Sequence, residues 1–288
     1  MPSIFADEVQ RVTAVLRKNL SLLLPFLPLL AAGLALPRVG TLSPALRELL
    51  PHAPLAAAGV AILLSMRFHR GRVFLAACVV AACWWGYREY LQDGVTGFRE
   101  TVAYLALVVV APFDIFLFSL MSEKGVGSNG GILRIIFLLL QVSLLEWVAR
   151  FHKSGLVDAL LFPLLPLQSL QSLALPQLSL LAAGFYLLVM LARLRSTGCS
   201  LIGVFAAVIV SLLAAAERLG DPVAFTLFSS SAALVLVLGL LQESYNLAFR
   251  DELTGLPSRR ALNERLASLG RRYTVAMVDV DHFKSFND

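Results

Sequence analysis

Two aspartates and a lysine near the C-terminal end of the chain have the types and spacing that best suit chemistry. Asp279 and Asp281 stand two positions apart, and Lys284 follows shortly after them. A carboxylate next to a lysine can hold a hard cation against phosphate groups, because Mg²⁺ prefers one or two carboxylates together with phosphate oxygens and water. Side chains at positions i and i+2 of a strand point to opposite faces. We therefore expect only one of the two aspartates to bind a metal ion directly.

The residues before this cluster have the pattern of a turn, a helix and a buried strand. Gly255 and Pro257 break the preceding helix. Ser258 then stands at the N-cap position of a short helix with one apolar face. Residues 273–280 are apolar and rich in β-branched side chains on both faces until Asp279, which is typical of a central strand covered on both sides. The pattern predicts the beginning of an α/β domain whose strand positions the acidic cluster.

The same segment resembles the GGDEF family of diguanylate cyclases through two motifs. The first is D-x-L-T-G-L-P-x-R-R from Asp251, and the second is V-D-V-D-H-F-K-x-F-N-D from Val278. The resemblance covers residues 251–288. Ser258 departs from the family pattern, which usually has asparagine there, but both residues are strong helix caps. The resemblance implies a nucleotidyl-cyclase-like α/β fold and an enzyme that condenses two GTP molecules into cyclic di-GMP and pyrophosphate.

The resemblance also implies the cofactor and the residues that hold it. In the family a divalent metal ion, Mg²⁺ or Mn²⁺, is bound by an aspartate that corresponds to Asp279. The backbone carbonyl at the position of Val280 contacts the same ion. Asp281 corresponds to a residue that supports the fold, which agrees with the argument from opposite strand faces. Asp279 and Val280 are therefore the expected metal ligands.

Four further positions correspond to residues of the family that bind GTP. The backbone amides at the positions of His282 and Phe283 approach the phosphates, and Lys284 lies near the triphosphate. Asn287 corresponds to the asparagine that hydrogen-bonds guanine. Each domain of the family holds one GTP, so the reaction requires two domains face to face. The resemblance thus implies a homodimer that forms through this domain and through the helix that precedes it.

Two motifs that follow in the family are not found in the 288 residues, namely the G-H-x-x-G-D stretch and the G-G-D/E-E-F signature. The second guanine contact and the second metal carboxylate of the family belong to those stretches. We therefore expect the 288-residue chain to be a fragment or a truncated product that is inactive alone. The full-length protein is expected to be an active diguanylate cyclase.

The composition predicts that most of the chain lies in a membrane. Hydrophobic residues make up 58% and charged residues only 15% of the sequence, whereas a soluble domain has about 25% charged residues. The net charge of +5 lies mostly in short loops, which is typical of membrane orientation rather than of nucleic-acid binding. The predicted domains are a cytoplasmic amphipathic segment (1–19), a multi-pass transmembrane sensor or anchor (20–241), a helical linker (242–250) and the start of a GGDEF domain (251–288).

Apolar runs predict a polytopic α-helical membrane domain with about eight crossings, since each crossing needs ~20 mostly apolar residues. Lysines and arginines in the loops slightly favour a cytoplasmic N-terminus. Eight crossings then return the C-terminus to the cytoplasm, where GTP is available, so we expect a bacterial inner-membrane protein with both termini inside. Residues 156–177 are expected to be an interfacial or re-entrant piece. The predicted spans are 20–36, 53–66, 73–87, 101–121, 131–149, 177–192, 200–216 and 223–241.

Some polar and aromatic residues of the predicted spans call for an explanation. Asp114 lies in the fourth span, and a charged residue at mid-bilayer is costly and frequently functional. This carboxylate is expected either to line a signal-binding site or to pair with a neighbouring helix. A group of aromatic residues at one end of the third span is expected to form an interfacial belt; its members are Trp84, Trp85, Tyr87 and Tyr90.

Two other functions are compatible with the sequence. The first is a non-catalytic membrane receptor that binds GTP or cyclic di-GMP, and an altered signature in residues encoded after Asp288 would distinguish it from an enzyme. The second is a transporter-like membrane protein with an incidental tail. A transporter would be expected to show a pair of Gly/Pro-broken helices in matching halves, and no such pair stands out in the sequence.

Overall fold

The computed structural model describes residues 23–164, 174–249, 251, 254, 256–270 and 272–276. Regular structure in these ranges is helical, and they contain no β-strand. The described chain divides into two compact units, with the division between Glu243 and Ser244. The predicted amphipathic segment 1–19 lies outside the described residues.

The first unit is built from apolar helices. Short 3₁₀ turns flank its first helix and precede its third. The α-helices are α1 (Leu27–Ala35), α2 (Pro44–Leu49), α3 (Ala53–Arg67), α4 (Gly71–Gly86), α5 (Phe98–Leu105), α6 (Ala111–Leu120), α7 (Asn129–Arg150), α8 (Ser154–Leu161), α9 (Gln177–Thr197), α10 (Ser200–Glu217) and α11 (Pro222–Phe249). A π-helical turn, Tyr87–Leu91, extends α4, and a second, Ala106–Val110, joins α5 to α6.

Seven helices in the described ranges are long and apolar enough to cross a membrane, when helices joined by 3₁₀ or π turns are taken together. Each overlaps one of the predicted spans. In lipid the backbone must satisfy its own hydrogen bonds, so apolar runs of this length form helices. The seven are Leu24–Thr41, Pro44–Arg67, Phe98–Leu120, Asn129–Arg150, Gln177–Thr197, Ser200–Glu217 and Pro222–Phe249.

The predicted span 73–87 has no counterpart among these seven. Its residues form α4 and the π-helical turn that extends α4 to Leu91. Together these are about as long as the ~20 residues that a crossing requires, but charged residues stand near both ends. The helix is buried deeply, and Val73, Ala76 and Val80 are fully enclosed. The eighth crossing stays a prediction.

The centre of the first unit is formed by α10, α11 and the α5–α6 pair, whose apolar spans are mostly buried, whereas that of α7 has few buried residues. Phe205 of α10 and Phe225 of α11 are fully buried. Gly239 of α11 packs so closely against Val204 of α10 that a Cβ atom on the glycine would overlap the valine side chain. Small residues at helix crossings permit this kind of close approach in membrane proteins.

Short polar side chains begin two of the long helices. Ser128 accepts a hydrogen bond from the Gly131 N–H at 3.1 Å and caps α7. The Asp221 carboxylate accepts bonds from the Val223 and Ala224 amides, at 3.0 and 3.1 Å, at the start of α11. Both side chains satisfy backbone donors that have no partner in the first turn of a helix.

The predicted interfacial piece 156–177 begins with α8, which has eight residues. This helix is much shorter than the ~20 residues needed for a crossing. Residues 162–164 are irregular, and residues 165–173 lie outside the described part of the chain. Residues 154–161 therefore do not add a ninth crossing.

The prediction of an aromatic belt is wrong for two of its members. Trp84 and Tyr87 are only 2% and 1% exposed. The Tyr87 ring stacks on Phe225 of α11 with 3.6 Å between the ring centroids. The Tyr87 ring lies in the core at the start of the π-helical turn. Trp85, which follows the buried Trp84, is 65% exposed.

The second unit contains the end of α11 and a further helix, α12 (Arg259–Ala267). The helix predicted to follow Ser258 is therefore present. The predicted strand 273–280 is described only at residues 273–276, which do not form a strand, and Tyr273 and Val275 are exposed there. A central strand needs neighbouring strands to satisfy its backbone groups, and the described residues include none. The α/β fold of this segment stays a prediction.

Candidate functional site

The first of the two motifs forms a hydrogen-bonded turn between α11 and α12. The Asp251 carboxylate accepts hydrogen bonds from the backbone N–H and the hydroxyl of Thr254, at 2.9 and 2.8 Å. The Asp251 N–H donates to the carbonyl of Leu256 at 2.9 Å. Aspartate and threonine suit this role because short polar side chains can bond nearby backbone groups where a helix is interrupted. These polar residues of the motif thus shape the turn.

Ser258 connects the ends of the two helices. Its N–H donates to the Phe249 carbonyl at 2.9 Å, and its hydroxyl donates to the Ala248 carbonyl at 3.2 Å. The same hydroxyl oxygen accepts a hydrogen bond from the Ala261 N–H at 3.4 Å and caps α12. Serine is among the best N-cap residues, so its presence at this position preserves the cap.

The residues assigned to metal and nucleotide binding lie outside the described residues. Asp281 also lies there. The structure describes the turn and the helix that precede them, and the assigned roles stay predictions. Within the described ranges, no group of three or more His, Cys, Asp or Glu side chains could hold a metal ion. The residues concerned are Asp279, Val280, His282, Phe283, Lys284 and Asn287.

Asp114, the candidate membrane signal residue, is buried near the start of α6 with 3% of its surface exposed. The Gln141 Nε2 of α7 donates a hydrogen bond to its Oδ1 at 2.9 Å. Asp114 therefore pairs with a neighbouring helix, which was one of its two expected roles. Gln141 was not among the candidate residues that the sequence indicated. An amide within an otherwise apolar span is a signal for such an interhelical bond.

The Asp114–Gln141 pair also borders a cavity. This cavity has a volume of about 670 Å³, and its wall is formed mainly by α4, α5, α6 and α7 together with both π-helical turns. At a second place on the wall Arg99 forms an ion pair with Glu146. A buried carboxyl group and a largely apolar wall together can enclose a small molecule that has both polar and apolar parts.

A separate polar cluster lies around the start of α4. Arg72 pairs with Glu123 at 2.9 Å and also donates to the Met121 carbonyl at 3.2 Å. Arg70 pairs with Glu243 of α11 at 3.4 Å, and both side chains are largely buried. The cluster therefore connects the α3–α4 loop and the loop after α6 to the last residue of the first unit.

The comparison with known proteins concerns the C-terminal segment. Residues 248–288 match the family model described as "Diguanylate cyclase, GGDEF domain". The match includes both sequence motifs, the hydrogen-bonded turn and α12, and it confirms the resemblance recognised from the motifs. No curated protein and no solved structure matches the chain.

Proposed function

We propose that this protein is a membrane-anchored diguanylate cyclase. The premise is that residues 248–288 belong to the GGDEF family of diguanylate cyclases. Such an enzyme condenses two GTP molecules into cyclic di-GMP and pyrophosphate. The observation that carries the proposal is the family match, within which the two motifs stand in the family's order. The helical first unit then serves as membrane anchor and sensory region.

The donor set of the second motif suits the cofactor that the family implies. The Asp279 carboxylate and the Val280 carbonyl are hard oxygen donors, which Mg²⁺ and Mn²⁺ prefer. The bound ion neutralises charge that develops on the phosphate oxygens. In this proposal Asp281 points to the opposite strand face and supports the fold.

The other residues of the motif bind and orient the nucleotide. The backbone amides of His282 and Phe283 donate to phosphate oxygens, and the Lys284 ammonium offsets their negative charge. Asn287 recognises guanine, because an amide can donate and accept hydrogen bonds at the same time. These contacts fix the position of the α-phosphorus that the ribose 3′-hydroxyl of the second GTP attacks. Positioning of this kind contributes a large part of the catalysis of phosphoryl transfer.

The proposed enzyme acts as a homodimer. Each domain holds one GTP, so two domains must meet for the 3′-hydroxyl of one nucleotide to reach the phosphate of the other. α11 continues without a break from Pro222 to Phe249. A helix that leaves the membrane without interruption can pair with its copy in a second chain, which supports dimerisation through the linker.

The proposed location is the bacterial inner membrane, with both termini in the cytoplasm. Seven helices of the described part are long and apolar enough to cross a bilayer, and α4 supplies the eighth crossing in this proposal. An even number of crossings places both ends of the chain on the same side. GTP is a cytoplasmic substrate, so the C-terminal segment must lie on that side.

The metal ligand provides the decisive test. The full-length protein, as its gene encodes it, is produced in a bacterial host with low background, and cyclic di-GMP is quantified in cell extracts by mass spectrometry. Asp279→Ala is expected to reduce the product to the background level, because the metal loses its carboxylate ligand. Immunoblots of the membrane fraction check that the variant is still inserted.

A matched aspartate outside the proposed site serves as the control. Asp158 is exposed on α8, and Asp158→Ala is expected to leave the product level unchanged. If Asp279→Ala and the wild-type protein produce equal amounts of cyclic di-GMP at equal membrane levels, the assigned ligand is wrong. If neither protein raises the level above that of the empty host, the proposed enzymatic activity is wrong.

A further inference from the structure

The cavity next to Asp114 has the size and the wall of a ligand site. Its volume of about 670 Å³ lies within the 300–1,000 Å³ that is usual for small-molecule pockets. Aliphatic and aromatic side chains form most of the wall, including Trp85 of α4 and Val142 of α7. The charged or amide side chains on the wall are Arg99, Asp114, Gln141 and Glu146.

The Asp114 carboxyl at the polar end of the cavity is bonded to an amide rather than to a cation. Gln141 Nε2 donates to Asp114 Oδ1. Within the described part of the chain, this amide is the hydrogen-bond partner of the Asp114 carboxyl. The other side-chain atom of the amide, Gln141 Oε1, is buried and has no hydrogen-bond partner there. Buried acceptors of this kind are costly unless a donor reaches them. Gln141 therefore supplies a neutral hydrogen bond to Asp114 and no positive charge.

The arginine on the cavity wall does not supply a positive charge to Asp114. Arg99 pairs with Glu146 and lies 5.5 Å from the centroid of the Tyr90 ring. Asp114 has no ion pair with a lysine or an arginine in the ranges that the structure describes. A carboxylate in apolar surroundings is normally paired or takes part in function. The carboxylate at the Asp114 end of the cavity therefore has no cationic side chain as a partner among the described residues.

The backbone around the cavity gives an independent indication of function. Both π-helical turns, Tyr87–Leu91 after α4 and Ala106–Val110 after α5, contribute to its wall. π-helical turns are rare and are frequently found at functional sites, because they interrupt the regular hydrogen bonding of an α-helix. Because two such turns border the same cavity, the backbone also indicates that this cavity is a functional site.

We propose that this cavity binds a small apolar molecule that carries an amino group. The ammonium group pairs with the Asp114 carboxyl, and the apolar body lies along the side chains of α4 and α5. An amine suits the site better than an alcohol does. An ammonium carries a positive charge that can pair with the carboxylate, whereas a hydroxyl is neutral.

Direct binding tests this proposal without any use of cyclase activity. The full chain is reconstituted in lipid nanodiscs, and saturable binding of radiolabelled phenethylamine is measured by equilibrium dialysis against protein-free nanodiscs. Unlabelled 2-phenylethanol, which has the same apolar body, competes in parallel. We expect the amine to bind saturably and the alcohol to compete at least about tenfold more weakly, since hydrogen bonds to charged groups can contribute this much.

Variants assign the binding to the cavity. Asp114→Asn removes the charge, and Ala106→Leu fills space at the wall without a change of charge. Each is expected to weaken phenethylamine binding about tenfold or more. Asp158→Asn, which changes an exposed aspartate outside the cavity, is expected to bind as the wild-type protein does. If Asp114→Asn does not fold, the Ala106→Leu variant still tests whether phenethylamine binds in this cavity.

Three results would overturn the proposal. One is the absence of saturable binding to the wild-type protein. Another is wild-type affinity in a folded Asp114→Asn or Ala106→Leu variant. The third is equal competition by 2-phenylethanol, which would remove the assignment of an amine. Because none of these measurements involves GTP, their failure is distinguishable from a failure of the proposed enzymatic function.

Discussion

At the scale of single residues, Ser258 connects the end of α11 to the start of α12. Its backbone N–H and its hydroxyl both donate to the last carbonyls of α11, and its oxygen caps α12. Carbonyl groups at a helix C-terminus and amide groups at a helix N-terminus lack intrahelical partners. One side chain therefore satisfies groups on both sides of the turn.

Ser258→Ala is expected to destabilise the first turn of α12 by about 1 kcal/mol, the usual cost of losing a capping side chain. The amides that follow should exchange about fivefold faster, because 1 kcal/mol corresponds to a factor of about five in an opening equilibrium. Hydrogen–deuterium exchange of the full chain in nanodiscs measures this rate. Ser258→Asn keeps a cap and should exchange as the wild-type protein does. Equal rates in Ser258→Ala and the wild-type protein would contradict the capping role.

At the scale of the elements, close packing between α10 and α11 organises the centre of the first unit. Gly239 allows the two helices to approach, because its missing side chain leaves room for Val204. Helix association in lipid depends on van der Waals packing rather than on exclusion of water. The crossing should therefore be sensitive to a single added carbon atom.

Gly239→Ala is expected to lower the free energy of unfolding by about 1–3 kcal/mol, the usual cost of overpacking a close contact. Titration with a denaturing detergent measures this change. Gly184 of α9 has open space around its Cα, so Gly184→Ala is the matched control and should not destabilise the protein. In a Val204→Ala background the cost of Gly239→Ala should become smaller. An unchanged cost in that background would count against the contact.

The ion pair between Arg70 and Glu243 holds the end of the first unit's last helix at the α3–α4 loop. The side chains are 17% and 18% exposed, respectively. The Arg99–Glu146 pair is about half exposed, at 53% and 52%. Because screening by water weakens an exposed pair, the first pair should contribute more to stability than the second.

A double-mutant cycle compares the two pairs. Arg70→Gln combined with Glu243→Gln is expected to give a coupling energy of about 1 kcal/mol, whereas the matched cycle at Arg99 and Glu146 should give about 0.5 kcal/mol or less. Unfolding free energies of the four variants of each cycle supply both values. A coupling energy at Arg70 and Glu243 equal to or below that of the exposed pair would show that this contact does not hold α11.

At the scale of the whole molecule, the proposed location of the C-terminal segment requires an even number of membrane crossings. In the ranges that the structure describes, seven helices have the length and composition of membrane spans, and α4 is long enough but carries charged residues near its ends. A cytoplasmic GTP-binding domain requires that α4 cross as well, if the N-terminus is inside. The role of this single helix therefore determines whether the proposed enzyme has access to its substrate.

Reporter fusions test the crossing of α4. Green fluorescent protein fused after Asp288 is expected to fluoresce, and alkaline phosphatase at the same position should be inactive, because the position is cytoplasmic in the proposed topology. Alkaline phosphatase inserted after Gly94, between α4 and α5, should be active, whereas the same insertion after Gly125, between α6 and α7, should not. An active phosphatase after Asp288 would place the segment outside the cell and exclude the proposed function.

Several features of the protein follow from its sequence alone. Runs of apolar residues determine the long helices, because a backbone in lipid has to form its own hydrogen bonds. Ser258 determines the start of α12 through its capping chemistry. The two C-terminal motifs are sufficient to recognise the resemblance of the C-terminal segment to the GGDEF family, and residues 248–288 match the model of that family.

The tertiary structure alone decided which side chains of those helices meet. A helix that is apolar on all sides has no face that its sequence marks as buried, so the spacing of residues could not show that Tyr87 stacks on Phe225 or that Gln141 bonds to Asp114. Partners such as Arg70 and Glu243 are far apart in the chain, and only helix packing brings them together. The same holds for the cavity, because it exists only where α4, α5, α6 and α7 leave space between them.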